Sequence, residues 1–70
     1  MTNTNREKLR IIGVALHGPR WMRAIARDLG VDYRAVARWA AGEYEIPLEV
    51  MGKLIVIAKL RIADIGAAIK

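Results

Sequence analysis

The sequence lacks the side chains on which most catalytic and metal-binding sites depend. It contains no cysteine, no serine and a single histidine, His17. These absences exclude a disulfide framework and a thiolate metal site, and they leave no serine or cysteine nucleophile for a histidine to activate. His17 stands at the end of a helical pattern, which favours a residue close to helix-terminal carbonyl groups over a catalytic base. We therefore expect a protein that is not an enzyme and that binds neither a metal nor a cofactor.

Long apolar runs are also missing. The most apolar run, residues 54–58, is much shorter than the ~20 residues that cross a bilayer. Residues 1–10 are polar and lack the apolar core of a signal peptide. The sequence thus predicts a cytoplasmic protein with no membrane partner and no small-molecule ligand.

Apolar residues nevertheless make up 54% of the 70 residues. A chain this short forms one domain at most, here residues 1–70, and such a domain has a large surface for a small interior. Part of its apolar surface is therefore expected to be covered by a second copy of the chain.

Positive charge is concentrated in the middle of the chain. Twelve lysines and arginines outnumber seven aspartates and glutamates, which gives a net charge of +5. Residues 19–42 hold five arginines, no lysine and two aspartates, a local charge of +3. The planar guanidinium group matches phosphates and guanine edges, so the segment favours a nucleic-acid partner, with solvated surface arginines as the alternative. These arginines are Arg20, Arg23, Arg27, Arg34 and Arg38.

Two helical patterns come first along the chain. Thr4 and Glu7 form a capping box that opens a helix, which ends at His17 and Gly18. Pro19 then opens a second helix, since its missing N–H costs nothing in a first turn. The apolar faces are predicted to comprise Leu9, Ile12, Gly13 and Leu16 in the first helix, and Met22, Ile25, Ala26 and Leu29 in the second.

A turn and a third helix follow. Gly30 ends the second helix, and Asp32 is predicted to cap a third helix that ends at Gly42. Trp39 lies on the inward side of this helix, so it is expected to be a core residue rather than a platform for base stacking. The pair of helices is characterised by five positions at fixed spacing, which are Ala26, Gly30, Val31, Val36 and Trp39. Such a pair with a glycine in the turn predicts a helix-turn-helix unit.

The segment after Pro47 is strongly apolar and is predicted to be helical to Lys70, either continuous or broken near residues 59–62. Its residues expected to cover the core are Leu48, Met51, Leu54, Ile55, Ala58, Ile62, Ile65 and Ile69. One small domain cannot bury every side of such a segment, so we expect a dimer contact through Ile57, Leu60, Ile62, Ile65 and Ile69. A basic amphipathic helix on a membrane surface is the alternative. The basic residues on which that alternative depends are Lys53, Lys59, Arg61 and Lys70.

Residues 20–47 resemble the helix-turn-helix family of phage repressors and Cro proteins. Members often contain A-x-x-L-G-V, then a short helix ending in R-W-x-x-G, and then a proline. Residues 26–31, residues 38–42 and Pro47 match these three parts. The resemblance implies a compact all-α bundle of four to five helices with a central helix-turn-helix, similar to lambda repressor. It also implies a bacterial or phage protein that associates with the nucleoid.

The resemblance further implies a sequence-specific regulator of transcription that binds double-stranded DNA, usually as a homodimer. Repression or autoregulation is favoured, because 70 residues leave little room for an activating or ligand-sensing domain. Helix 32–41 would read the major groove, with base contacts carried over to Asp32, Tyr33, Arg34, Ala37 and Arg38.

The phosphate contacts are less typical of the family. Many members have a phosphate-binding glutamine where this chain has Met22. The contact is therefore expected from residues around it, which are Arg20, Trp21, Arg23 and Arg27. The alternative function is a helical adaptor that binds another protein through the same scaffold and does not bind DNA.

Overall fold

The computed structural model describes residues 4–69, and all regular structure within this range is helical. The α-helices are α1 (Asn5–His17), α2 (Trp21–Leu29), α3 (Tyr33–Ala41) and α4 (Leu48–Ile69), and a 3-10 turn, Gly18–Arg20, joins α1 to α2. Helices α1, α2 and α3 pack on one another, and α4 packs on α1 and α2. The predicted all-α class is confirmed, and the four α-helices of the described residues lie within the predicted four to five.

The first helix begins and ends where its polar residues predict. The Glu7 N–H donates to the Thr4 hydroxyl oxygen at 3.1 Å, and that hydroxyl donates to the Glu7 carboxylate at 3.3 Å. At the other end Gly18 adopts φ 78°, and its N–H donates to the Val14 carbonyl. Both predicted ends of α1 are confirmed.

A three-residue turn joins α2 to α3. Gly30 has the left-handed conformation, with φ 71° and ψ 33°, which a glycine adopts without strain. The next N–H, that of Val31, donates to the Ala26 carbonyl at 3.0 Å and so caps α2. Asp32 then opens α3, because its carboxylate accepts the Arg34 N–H at 2.7 Å. The predicted turn and cap are confirmed.

The core draws one fully buried side chain from each helix. Leu9 of α1, Ile25 of α2, Val36 of α3 and Leu54 of α4 are all 0% exposed. The other buried apolar side chains are Trp21, Ala26, Leu29, Trp39, Ile46 and Met51. Trp39 is thus a core residue, as its inward position predicted.

The contact between α1 and α2 depends on Gly13. A Cβ atom at this position would lie only 2.6 Å from Cδ2 of Trp21, so the indole ring packs directly on the helix backbone of α1. Trp21 is 7% exposed and belongs to the buried face of α2, whereas Met22, which was predicted for that face, is only partly buried. The close approach explains the difference, because only a helix without a side chain at residue 13 can receive the ring.

Helix α4 is a single helix of 22 residues, with no break near residues 59–62. Only its first half packs on the core, through Met51 and Leu54, which are buried, and Val50 and Ile57, which are partly buried. Every residue from 59 to 69 is exposed. The physical reason is length, since the 22 residues of α4 span about 33 Å, whereas the helices on which it packs span only about 20 Å (α1, 13 residues) and about 14 Å (α2, nine residues).

The predicted covering face of α4 is therefore wrong in part. Five of its residues do not cover the core, namely Leu48, Ile55, Ile62, Ile65 and Ile69, which are between 42% and 85% exposed. Ile57, which was not assigned to the covering face, is partly buried against the core, and its predicted role in a dimer contact stays a prediction. Lys70, to which the helix was predicted to extend, lies outside the described residues. Among the helices of residues 4–69, none could span a membrane.

Candidate nucleic-acid interface

The outward face of α3 carries two exposed arginines one turn apart. Arg34 and Arg38 are exposed, and Ala37 lies partly exposed between them. The opposite face is held in the core by Val36, which is fully buried, and by Trp39. Because α3 is anchored on one side, the guanidinium groups project from a fixed backbone. They lie on the surface, as the sequence predicted.

Tyr33, the first residue of α3, is linked to α2 by a cation–π contact. The Arg23 guanidinium carbon lies 4.4 Å from the centre of the tyrosine ring. These two side chains line a shallow cleft together with Pro19, Arg20 and Met22. The stack covers one ring face, so it fixes the ring direction and places two arginines beside the start of α3.

The arginines of this surface are not neutralised by acidic neighbours. Within residues 4–69, the Asp28 carboxylate lies 2.8 Å from Nε2 of His17, on the side of α2 that faces α1. In the same range no arginine has a carboxylate within 4.0 Å. The positive charge of Arg20, Arg23 and Arg27, which are all exposed, is therefore available to an anionic partner.

Trp21 is much less exposed than these arginines. Carbon atoms of its indole ring pack against Gly13, and only 7% of the residue is exposed. Trp21 therefore has a packing role, and the phosphate contact expected from its indole N–H stays a prediction.

Two contacts at the far end of α3 were not predicted. The Arg6 Nε donates to the Ala40 carbonyl at 2.8 Å, which satisfies a terminal carbonyl of α3 from α1. The Arg38 guanidinium carbon lies 5.8 Å from the ring centre of Tyr44, which is 61% exposed in the loop before α4. The basic character of Arg6 was visible in the sequence, but a contact 34 residues away is set only by the fold. Tyr44 extends the candidate interface beyond the helix itself.

Asp32 has a structural task in addition to its assignment to base reading. One carboxylate oxygen accepts the Arg34 N–H, which fixes the orientation of the side chain and leaves its other oxygen fully free to accept from a base. We expect Asp32→Ala to lower the free energy of unfolding by about 1 kcal/mol, the usual value for removing an N-cap. Asp32→Asn keeps an accepting oxygen and should cost less. Denaturant unfolding followed by circular dichroism measures both, with the exposed Asp64→Ala in α4 as the control. An Asp32→Ala chain as stable as the parent would contradict the cap.

No model of a known protein family, no curated protein and no solved structure matches the chain. In residues 4–69, no three histidine, aspartate or glutamate side chains are placed to hold a metal ion. The resemblance to phage repressors therefore rests on residues 20–47 alone, and the surface of α3 is the structural feature that bears on function.

Proposed function

We propose that the protein is a sequence-specific, double-stranded DNA-binding regulator of transcription, most simply a repressor or autoregulator. In this proposal α2, the turn and α3 form a helix-turn-helix of the lambda-repressor type. The observation that carries it is the exposure of Arg34 and Arg38 on a helix whose opposite face is locked by Val36 and Trp39.

The dimensions of α3 suit the major groove. Its nine residues have the diameter of an α-helix, about 10–12 Å, and the groove of B-DNA is about 12 Å wide. Arg34 and Arg38 point from one face, where each can donate two hydrogen bonds to O6 and N7 of a guanine. The small side chain of Ala37 lets the helix approach the base edges between them.

The arginines around α2 supply the contacts that carry no sequence information. Arg20 and Arg23 lie beside the first residue of α3, and Arg27 is exposed one turn further along α2. Contacts to phosphates fix the position of a reading helix and dominate the salt dependence. Three phosphate contacts predict that log affinity falls with log salt concentration with a slope of about −2.7 for one bound copy, and of about −5 when two copies bind together.

Sequence preference tests the proposal directly. Bound duplexes selected from a random pool should define a preferred sequence, and Arg34→Ala and Arg38→Ala should each weaken binding to it by about 5- to 150-fold. Binding to unrelated DNA should change far less. Arg61→Ala, which removes an exposed arginine from α4, is the matched control and should keep the preference. Unchanged selectivity in both α3 variants would remove the reading role from this helix.

A helical adaptor that binds another protein is the second candidate, and the exposed apolar half of α4 favours it. The two functions differ in their response to salt. An apolar protein contact is nearly insensitive to salt, whereas each arginine that meets a phosphate contributes about one unit to the slope. The absence of any selected sequence, together with the absence of salt-dependent binding to DNA, would favour the adaptor.

A further inference from the structure

The loop between α3 and α4 holds an exposed tyrosine, Tyr44, between two anchored positions. Gly42 has the left-handed conformation with φ 80°, and the N–H of Glu43 donates to the Arg38 carbonyl at 3.0 Å. These contacts bind the start of the loop to the last turn of α3. Ile46, two residues beyond Tyr44, is buried in the core. The position of Tyr44 is therefore fixed from both sides, although the residue is 61% exposed.

The end of α3 is also held by the first helix. The Arg6 Nε donates to the Ala40 carbonyl at 2.8 Å, and a guanidinium nitrogen of Arg6 would lie 3.0 Å from a Cβ at Gly42. Arg6 thus packs directly on the backbone where α3 passes into the loop. The backbone that carries Arg38 is fixed by α1 as well as by the buried face of α3.

The ring of Tyr44 supports the side chain of Arg38. The guanidinium carbon lies 5.8 Å from the ring centre, within the ~6 Å over which an aromatic face attracts a cation. In the part of the chain that the structure describes, the other cation–π contact joins α2 to the start of α3, so Arg34 has no aromatic partner. The two outward arginines of α3 therefore differ, because a ring restricts Arg38 and none restricts Arg34.

Contact with a guanine requires one orientation of the guanidinium group. Two parallel hydrogen bonds to O6 and N7 form only when the planar fork of the arginine meets the edge of the base. An exposed arginine has many rotamers, and restricting it on binding lowers the affinity. A side chain that a ring already holds loses less conformational entropy when it binds. Arg38 is thus better prepared for this contact than Arg34.

The charge of the loop argues against a direct phosphate contact through the Tyr44 hydroxyl. Glu43 and Glu45 stand immediately before and after Tyr44, and both are exposed. Their carboxylates would repel a phosphate brought to this position. Neither carboxylate lies within 4.0 Å of Arg38, so the ring, and not an ion pair, orients the guanidinium group. What Tyr44 offers to a DNA partner is therefore its effect on Arg38.

We propose that Tyr44 is a positioning residue for Arg38. Its ring holds the guanidinium group in the orientation that reads one guanine, so that base pair is specified more strictly than the base pair read by Arg34. The inference depends on the proposed function and extends it, since it adds a specificity-determining residue outside the helix-turn-helix. Tyr44 acts through Arg38, and its hydroxyl group is not required.

The test measures base preference with the full chain and the selected duplex. Arg38→Ala identifies the base pair that Arg38 reads, as the one at which the preference is lost. Tyr44→Ala should lower the preference at that base pair by about 2- to 5-fold, the value of an exposed cation–π contact, and should leave the base pair read by Arg34 unchanged. Tyr44→Phe keeps the ring and should keep the preference. Adding Tyr44→Ala to Arg38→Ala should have no further effect.

Glu45→Ala is the matched control for the loop. It changes the exposed residue next to Tyr44 and leaves the ring in place. Removing a negative charge can raise the affinity for all duplexes, but the ratio between the preferred and the substituted base pair should stay the same. Both side chains are exposed, so circular dichroism should show Glu45→Ala and both Tyr44 variants as stable as the parent chain.

Three results would overturn the proposal. The first is a Tyr44→Ala chain that keeps the full preference at the base pair read by Arg38. The second is an equal loss of affinity for all duplexes in Tyr44→Ala and Tyr44→Phe, which would assign the hydroxyl to a phosphate. Both leave the proposed function intact. The third is a parent chain with no preferred sequence, which would refute the proposed function and the positioning role together.

Discussion

Replacing Gly13 by valine is expected to remove most of the stability of the domain. A Cβ at this position would lie 2.6 Å from Cδ2 and 3.0 Å from Cζ3 of Trp21, and the ring is almost entirely buried, so it has no space to move into. Overpacking of this kind costs about 1–3 kcal/mol and sometimes more. A core of this size rarely supplies more than about 3–5 kcal/mol in all. The midpoint of urea unfolding, followed by circular dichroism, measures the loss.

The control for this substitution is Gly52→Val in α4. Nothing lies within 4 Å of a Cβ at Gly52, so the same change should be neutral or slightly stabilising there. A second variant tests the mechanism, because Trp21→Leu in the Gly13→Val background removes the ring that clashes. The double variant should be more stable than Gly13→Val alone. Equal losses of stability at positions 13 and 52 would show that the helix propensity of valine, and not the clash with Trp21, determines the effect.

Truncation of Leu54 to alanine is expected to cost about 2–5 kcal/mol, the range for a fully buried leucine. Leu54 is 0% exposed and is the residue through which α4 enters the centre of the core. The loss should lower the thermal midpoint of the whole domain in one transition, because α1 and α2 lose their packing against α4 at the same time. Calorimetry or thermal circular dichroism measures it.

Leu60→Ala provides the comparison within the same helix. Leu60 is 62% exposed, and such surface substitutions usually change stability by less than about 0.5 kcal/mol. If Leu54→Ala were equally harmless, α4 would not be part of the folding unit. That result would also remove the distinction between its packed and exposed halves.

The ends of the helices could be predicted because their signals are local. Thr4 and Asp32 accept N–H groups two or three residues ahead of them, and Gly30 supplies a positive φ that other residues avoid. Each of these effects is complete within one turn of chain, so the sequence contains all the information required. The exposure of Arg34 and Arg38 follows from the same short range, since Val36 and Trp39 fix which side of α3 is inward.

The buried face of α2 could not be predicted with the same certainty. Trp21 and Met22 are neighbours on the helix, and either one completes a stripe with Ile25 and Leu29. Which of the two side chains is buried is determined by α1, where Gly13 leaves room for an indole ring. A requirement that lies eight residues earlier, on another helix, is not visible in the periodicity of α2.

The length of α4 that packs on the core could not be predicted for a related reason. The apolar pattern of α4 continues to residue 69, but the helices beneath it end sooner, so the pattern exceeds the surface available to it. Periodicity shows which side of a helix is apolar and does not show what lies opposite. The contacts of Arg23 with Tyr33 and of Arg6 with Ala40 also join separate helices, and they follow from the packing alone.

The continuity of α4 couples the direction of its free end to the rest of the molecule. An unbroken helix turns about 100° for each residue, so inserting one residue after Ala58 would rotate residues 62, 65 and 69 by that angle, while Leu54 stayed in place. The insertion would leave composition and charge almost unchanged, yet these isoleucines would face another direction relative to α3. The helical phase of α4 thus determines the direction in which its exposed isoleucines face relative to the arginines of α3.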